Sequence, residues 1–317
     1  MSMLIVIPCL NEAMTLPGLL AQQLAETDAT IVVADGGSDD GSREIVAQLA
    51  AQQHHRLVLL DNAARLQSAG INLAVERHGD GVRWLVRIDA HCDYPAGYAR
   101  RLVETAEARD ATSVVVPMVS RGTRCFQIAA ATAQNSRLGT GGSPHRHIGT
   151  GGFVDHGHHA LMDLTSFRAV GGYRTDMAAN EDAELDKRLI AAGARIWLEP
   201  MLAVTYHPRS SIGALWRQYW RYGEGRSRTL RLHRSRPKLR QTLPLMVPAA
   251  VLLSVATPVS TVFALPLLVW AILCVGAGAM IGVRERDRCA MLSGVPAMTM
   301  HLAWGLGFLK EMLAEIK

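Results

Sequence analysis

The chain has no Cys-x-x-Cys pair, no Gly-x-Gly-x-x-Gly run, no internal repeat and no charged residue between Leu243 and Val283. Its five cysteines (Cys9, Cys92, Cys125, Cys274 and Cys289) are scattered. That spacing argues against a zinc knuckle or a disulfide framework and fits a reducing compartment. Without the glycine fingerprint a dinucleotide-binding dehydrogenase is disfavoured. The apolar opening "MLIVIPCL" is too short for a cleavable signal and lacks a basic flank. The charge-free stretch is long enough for two membrane passes joined near "TPVST", at roughly 20 residues per helix.

What is present is apolar and basic. Of 317 residues, 49% are hydrophobic, and the net charge is +5. The mean hydropathy is +0.11 and the pI about 9.1. The apolar excess lies after residue 240, and Arg217 to Arg240 supply a basic cluster just before it. Lys and Arg beside an apolar segment point to contact with a cytoplasmic membrane leaflet rather than to nucleic acid. Basic flanks before Leu243 and after Val283 put both on the cytoplasmic side. A weaker apolar segment, residues 289 to 309, follows "RERDR".

The first half alternates short apolar runs with amphipathic stretches. "MLIVIPC", "ATIVVAD", "RLVLLD", "VRWLVRID" and "TSVVVPMV" read as buried strands, with a helix after each of the first four. This pattern predicts a parallel sheet covered on both faces. Such sheets bind ligands at the carboxyl ends of their strands. The polar residues to weigh are therefore those just after each strand. The Gly- and His-rich "GTGGSPHRHIGTGGFVDHGHH" reads as a loop.

Five clusters carry chemistry. In "IPCLNEA", Asn11 and Glu12 stand at a strand end, although Glu12 also suits a helix first turn. In "VVADGGSDDGS", Asp35 precedes a glycine turn and a helix start, where a backbone can approach a phosphate; an ordinary βα turn reads the same way. In "RIDAHCDY", Asp89 and His91 are two apart in extended chain and share a face. A carboxylate and an imidazole can hold a divalent ion, and the imidazole shifts preference from Mg2+ towards Mn2+. His91 bonding to a neighbouring loop is the competing account. In "NEDAELDKRL", Asp182 opens a helix, as ordinary first-turn acids do and as a general base facing a pocket also would. In "LWRQYWRYGEGRSR", one helical face is aromatic and the rest rich in arginine, which suits an interfacial helix.

Taken in order, these motifs resemble the family 2 glycosyltransferases with the GT-A fold, over roughly residues 3 to 310. "RIDAHCDYP" is similar to a branch making exopolysaccharide that has DAH where most members have DxD. The resemblance implies an α/β nucleotide-diphospho-sugar transferase domain with a mostly parallel, Rossmann-like sheet, followed by C-terminal transmembrane helices. It implies that residues 1–210 are that domain, 211–240 a basic amphipathic interfacial helix or linker, and 241–317 a membrane region of two to three helices. It further implies that Pro8, Asn11 and Glu12 line the nucleotide pocket and that Asp35 reads uracil. Asp89 and His91 then meet the UDP-sugar and its Mn2+ or Mg2+, and Asp182 is the catalytic base. Gln218, Arg221 and Tyr222 match the family's QxxRW, with Tyr for Trp, near the diphosphate. The acid expected after "GGY" is here Arg174, with Asp176 two further on, so that site is not carried over.

The implied activity is inverting transfer of a sugar, with glucose the first candidate, from a UDP-sugar to a polyprenyl-diphosphate-linked saccharide. It would serve exopolysaccharide or cell-surface glycan synthesis at the inner membrane, in a multi-pass protein with its catalytic domain cytoplasmic. Two other readings remain: a polyprenyl-phosphate sugar transferase, and a non-catalytic membrane scaffold with a degenerate transferase domain.

Overall fold

The computed structural model describes residues 2–53, 56–142 and 150–314. Of the Gly/His-rich stretch, residues 143–149 lie outside the described residues. The chain divides into two compact units, Met1–Met118 with Ile148–Tyr206, and Val119–His147 with His207–Lys317.

The first unit is built on an eight-stranded sheet. Its strands are β1 (Met3–Cys9), β2 (Thr30–Asp35), β3 (Leu57–Asp61), β4 (Trp84–Arg87), β6 (Ser113–Val116), β8 (Gly152–Phe153), β9 (His158–Asp163) and β10 (Ile196–Leu198). They lie in the order β3-β2-β1-β4-β9-β6-β10-β8. The first four are mutually parallel. Strand β9 runs antiparallel between β4 and β6, and β8 antiparallel to β10. The sheet is thus mixed, with the parallel part where the apolar runs predict it. Two short strands, β5 (Cys92–Asp93) and β11 (Val204–Tyr206), pair antiparallel beside it. Strand β7 (Met118–Ser120) carries the chain into the second unit.

Side-chain alternation builds two cores. Ile5, Ile7, Ile31 and Val33 face helices α1 (Leu16–Glu26), α2 (Ser42–Gln52) and α4 (Tyr98–Arg109), meeting Leu20, Val46 and Leu102. Leu4, Val6, Val32 and Leu85 face α3 (Gln67–His78), α7 (Leu164–Ala169) and α8 (Glu181–Ala191), meeting Ile71, Phe167 and Leu185. With both faces filled by apolar side chains, polar residues collect at the strand ends.

The second unit is helical: α5 (Cys125–Asn135), α6 (Arg137–Thr140), α9 (Ile212–Leu232), α10 (Leu239–Thr242), α11 (Met246–Ser254), α12 (Leu265–Glu285) and α13 (Gly294–Leu313). Helices α9 and α13 pack at backbone distance. A Cβ on Gly223 would lie 2.1 Å from Trp304 O, and one on Gly307 would lie 2.2 Å from Trp220 O. The apolar face of α9 is therefore taken by α13, while Arg217 and Arg221 are exposed.

Two expectations change here. Cys125 and Cys289 are joined in a disulfide, from the start of α5 to the turn before α13. A pair separated by 164 residues leaves no spacing signal, and the cysteines no longer argue for a reducing compartment. Of the two passes expected within Leu243 to Val283, one helix among the described residues, Thr261–Glu285, is long and apolar enough to cross a membrane. The preceding apolar helix, Leu239–Ser254, is shorter.

Candidate active site

Strands β1, β2 and β3 end at the same edge, with Cys9 opposite Asp35 and Asp35 opposite Asp61. Beyond Cys9 the chain turns through Asn11, at φ 59° in the left-handed region that asparagine tolerates. Asn11 N donates to Ser38 Oγ at 2.8 Å, and its Oδ1 accepts from Asp39 N at 3.0 Å. Glu12 N donates to Ser42 Oγ at 2.9 Å. The two loops are thus tied together before any ligand arrives. Pro8 is half-buried one residue before the end of β1.

Asp35 is buried, and its carboxylate is heavily engaged. It accepts from Gly37 N (2.8 Å), Ser38 N (3.1 Å), Ser38 Oγ (2.5 Å) and Arg43 Nη1 (2.7 Å). Burial would raise its pKa, but these donors outweigh burial and hold it below the ordinary value. Arg43 continues to Asp61 at 2.6 Å. Three of these donors go to Oδ2, whereas Oδ1 takes the Ser38 hydroxyl.

After β4 the backbone carries Asp89, His91 and Cys92 to one place, where one ligand atom of each lies within 4.8 Å of the others. Asp89 Oδ1 accepts from Arg87 Nε at 3.1 Å, which turns Oδ2 the other way. His91 Nδ1 meets Glu12 Oε1 at 3.2 Å, joining two expected site residues across 79 positions. Carboxylate, imidazole and thiol form a donor set that fits a divalent ion with positions left for a ligand. The softer two donors favour a metal other than Mg2+. Cys92, not singled out from the sequence, is readable in hindsight from its place beside His91.

Asp182 sits in the first turn of α8, whose N-cap Asn180 is left-handed at φ 64°. The element is fixed from behind. Arg188 pairs with Glu184 and donates to the carbonyls of Val170 (2.6 Å) and Gly172 (2.7 Å). Asn72 holds Tyr173 by its N–H and carbonyl. Arg174 and Asp176 pair with each other in the open. Glu184 is therefore a brace for α8, and Asp182 is the acid turned to the site.

Sequence reading missed the groups that surround Asp182. Arg87, the last residue of β4, is 5% exposed and donates to Asp182 Oδ1 at 2.5 Å. His159, fully buried on β9, lies 3.6 Å from the same oxygen. Its ring is fixed by Tyr173 Oη at Nδ1 (2.6 Å) and Asp186 Oδ1 at Nε2 (2.7 Å). His156 meets the other Asp186 oxygen at 2.8 Å. His158 stands between Asp89 Oδ2 (3.7 Å) and Asp182 Oδ2 (4.0 Å). The signal for these residues was the unusual density of His in "FVDHGHHALMD" and an arginine inside an apolar strand.

Charge balance follows from this packing. Burial pulls Arg87 down, but Asp182 and Asp89 outweigh it and hold the guanidinium well above its usual value. Burial pushes Asp89 up, but Arg87, His158 and His91 hold it well below the carboxylate range. Asp182 is likewise lowered against burial by Arg87, His159 and His158. Asp186 falls to about 2, where His159 outweighs burial. Glu181 goes the other way, to about 7, through burial and then the Asp182 charge beside it.

Gln218, Arg221 and Tyr222 lie on α9 in the second unit. Gln218 Nε2 donates to Tyr222 Oη at 3.1 Å, and Arg221 is exposed. The other expected residues all stand in the first unit.

Carboxylates thus gather at the strand ends of an open α/β sheet, the edge at which such sheets bind ligands. The model of the Glycosyl transferase family 2 matches residues 4–171. The succinoglycan biosynthesis protein ExoA of Rhizobium meliloti (strain 1021) is 47% identical over 315 residues, 98% of this chain and 95% of that protein. The chain belongs to glycosyltransferase family 2 and is a glycosyltransferase. Among solved structures, the mannosyltransferase PcManGT from Pyrobaculum calidifontis, in complex with GDP-Man and Mn2+, superposes with a TM-score of 0.63 at 18% identity, covering 97% of this chain and 87% of that one. GalNAc-T7 with UDP, GalNAc and Mn2+ gives 0.52 at 14% identity, covering 73% and 47%. Both likenesses bear out the GT-A fold.

Proposed function

We propose that the protein inverts the anomeric centre of a UDP-sugar, with glucose the first candidate, while transferring it to a lipid-linked saccharide in exopolysaccharide synthesis. The observation that carries this reading is that Asp89, at the donor edge of β4, and Asp182, at the start of α8, share a single buried guanidinium. An enzyme that must bring a nucleotide donor and a general base to one carbon needs those two groups adjacent and both ionised.

In this reading Asp35 Oδ1 accepts the base N–H, while Asn11, Glu12 and Pro8 shape the pocket around the nucleoside. Asp89 and His91 hold a divalent ion, Mn2+ rather than Mg2+, which neutralises the diphosphate when bound. Asp182 takes the proton of the acceptor hydroxyl as that oxygen attacks C1 opposite the leaving diphosphate. Gln218, Arg221 and Tyr222 serve the diphosphate and acceptor. The exopolysaccharide assignment rests on the printed role of the 47% identical relative. Glucose and the polyprenyl-diphosphate acceptor rest on the motif resemblance.

Membrane attachment rests on the Thr261–Glu285 helix and on the arginines of α9. If Leu239–Ser254 supplies a second pass, both basic flanks fall on one side and the catalytic unit is cytoplasmic at the inner membrane. Additional passes would have to come from Leu239–Ser254 and α13. The proposed division is a transferase domain at 1–210, a basic amphipathic linker at 211–240 and a membrane region at 241–317.

The test is release of the nucleoside diphosphate, UDP or GDP, by the purified protein with native lipid extract, across UDP-sugars and GDP-mannose, with Mn2+, Mg2+ or chelator. Metal-dependent release from one UDP-sugar is expected. Release from a GDP-sugar alone would overturn the donor, and nucleotide binding without turnover would favour a non-catalytic scaffold.

A further inference from the structure

We infer that Arg87 is a positioning residue that sets Asp89 and Asp182 in register for one reaction. The inference rests on the glycosyl-transfer reading above. Arg87 and Asp89 are two apart along extended backbone, so their side chains share a face. The guanidinium contacts the Oδ1 atom of both acids, through Nε to Asp89 at 3.1 Å and Nη1 to Asp182 at 2.5 Å. Nη1 also reaches Tyr173 Oη at 3.4 Å, and Gln67, at the start of α3, lays its amide against the same group.

Fixing one oxygen of a carboxylate fixes where the other points. Oδ2 of both acids is directed at the same imidazole, His158, at 3.7 and 4.0 Å. Two acids 93 positions apart, on a strand end and on a helix start, are thereby aimed at one small volume. A planar guanidinium has donors in a fixed fork and can span two carboxylates, whereas a lysine ammonium is a point charge on a flexible stem. A buried ion pair is weak evidence for stability, because desolvation offsets its attraction. Core packing alone does not account for an arginine at the end of an apolar strand.

The test uses the full chain with Mn2+ and UDP as probes, reading bound Mn2+ by electron paramagnetic resonance and nucleotide-binding sites by titration. In Arg87→Lys, Mn2+ affinity in the presence of UDP should fall about tenfold, the usual effect of losing a group that orients a ligand. Turnover per nucleotide-binding site should fall about 100-fold. A purely structural role predicts fewer intact sites, each with unchanged Mn2+ affinity and unchanged turnover, and that result overturns the inference. If Arg87→Lys does not fold, Asp182→Asn keeps the arginine and serves instead. Through Arg87 it should weaken Mn2+ binding at Asp89 about threefold, within the range of coupling between residues of one network. Unchanged Mn2+ binding there also overturns the inference. If the wild-type protein turns over no nucleotide sugar, the functional reading fails, while the Mn2+ measurements still decide the role of Arg87.

Discussion

A carboxylate that stays ionised inside a protein needs positive charge nearby, and Asp182, the proposed base, has Arg87, His159 and His158. For its neighbour Glu181, burial and the Asp182 charge outweigh the help from Arg87, and it is pushed to about 7. The two acids of "NED" therefore separate into one that is charged at neutral pH and one that sits near its midpoint. Asp182→Asn preserves shape and removes the proposed base, so kcat should fall by about 10²–10⁴ with donor KM little changed; steady-state UDP release reads both. Glu181 carries a stability consequence with a definite sign. Its ordinary pKa is 4.5 and its folded value about 7, so the folded state holds this proton more tightly than the unfolded chain. Stability from that preference is full below 4.5 and is lost as pH rises through 7. Glu181→Gln escapes the loss. Its thermal midpoint should match the wild type near pH 4.5 and exceed it at pH 8 by a few degrees, at roughly 2–4 °C per kcal/mol. A gain at low pH and none at high pH would show that Glu181 is not the group being destabilised.

Elements are held by backbone approach as much as by side chains, and α9 with α13 is the clearest case. Any side chain at Gly223 meets Trp304 O, while Gly276 on α12 has nothing within 4 Å of its would-be Cβ. Gly223→Leu should therefore prevent accumulation of folded protein, and Gly276→Ala should be close to neutral; expression with thermal-shift measurement compares them. Strands β1 to β4 and β6 were legible because a strand buried on both faces leaves an unbroken apolar run. Strand β9 was not, because it opens with two histidines and follows a glycine-rich stretch. Yet it carries His158 and His159 to Asp182. The same limit hid Arg87: periodicity places a residue on a face but does not say which distant acid will meet it there. Asp89 and Asp182 were legible singly, as acids at a strand end and a helix start, while their junction required the sheet order. The Cys125–Cys289 bond belongs to this class too, since it links positions whose nearness only the folded helices create.

At the scale of the whole chain, a sheet unit with polar strand ends is followed by a helical unit in which α12 exposes an apolar face. Leu268, Val269, Ile272 and Leu273 on α12 are each more than half exposed, at 52%, 52%, 68% and 65%. The opposite side of the helix is used differently: Cys274, Gly278 and Gly282 are buried. A patch of that size on a water-soluble surface would drive association, so something apolar covers it. If a bilayer does, the protein should stay in the membrane pellet after alkaline carbonate washing. A single charge in mid-helix should then weaken its retention. Ile272 lies near the centre of Thr261–Glu285, where lysine costs about 3 kcal/mol relative to isoleucine on an insertion scale. Ile272→Lys should move a substantial fraction to the soluble or degraded pool, whereas Gly276→Ala on the same helix should not. If carbonate releases the wild-type protein and Ile272→Lys instead changes its oligomeric size, the cover is a second protein surface. The arginines of α9 would then need an anionic partner other than lipid.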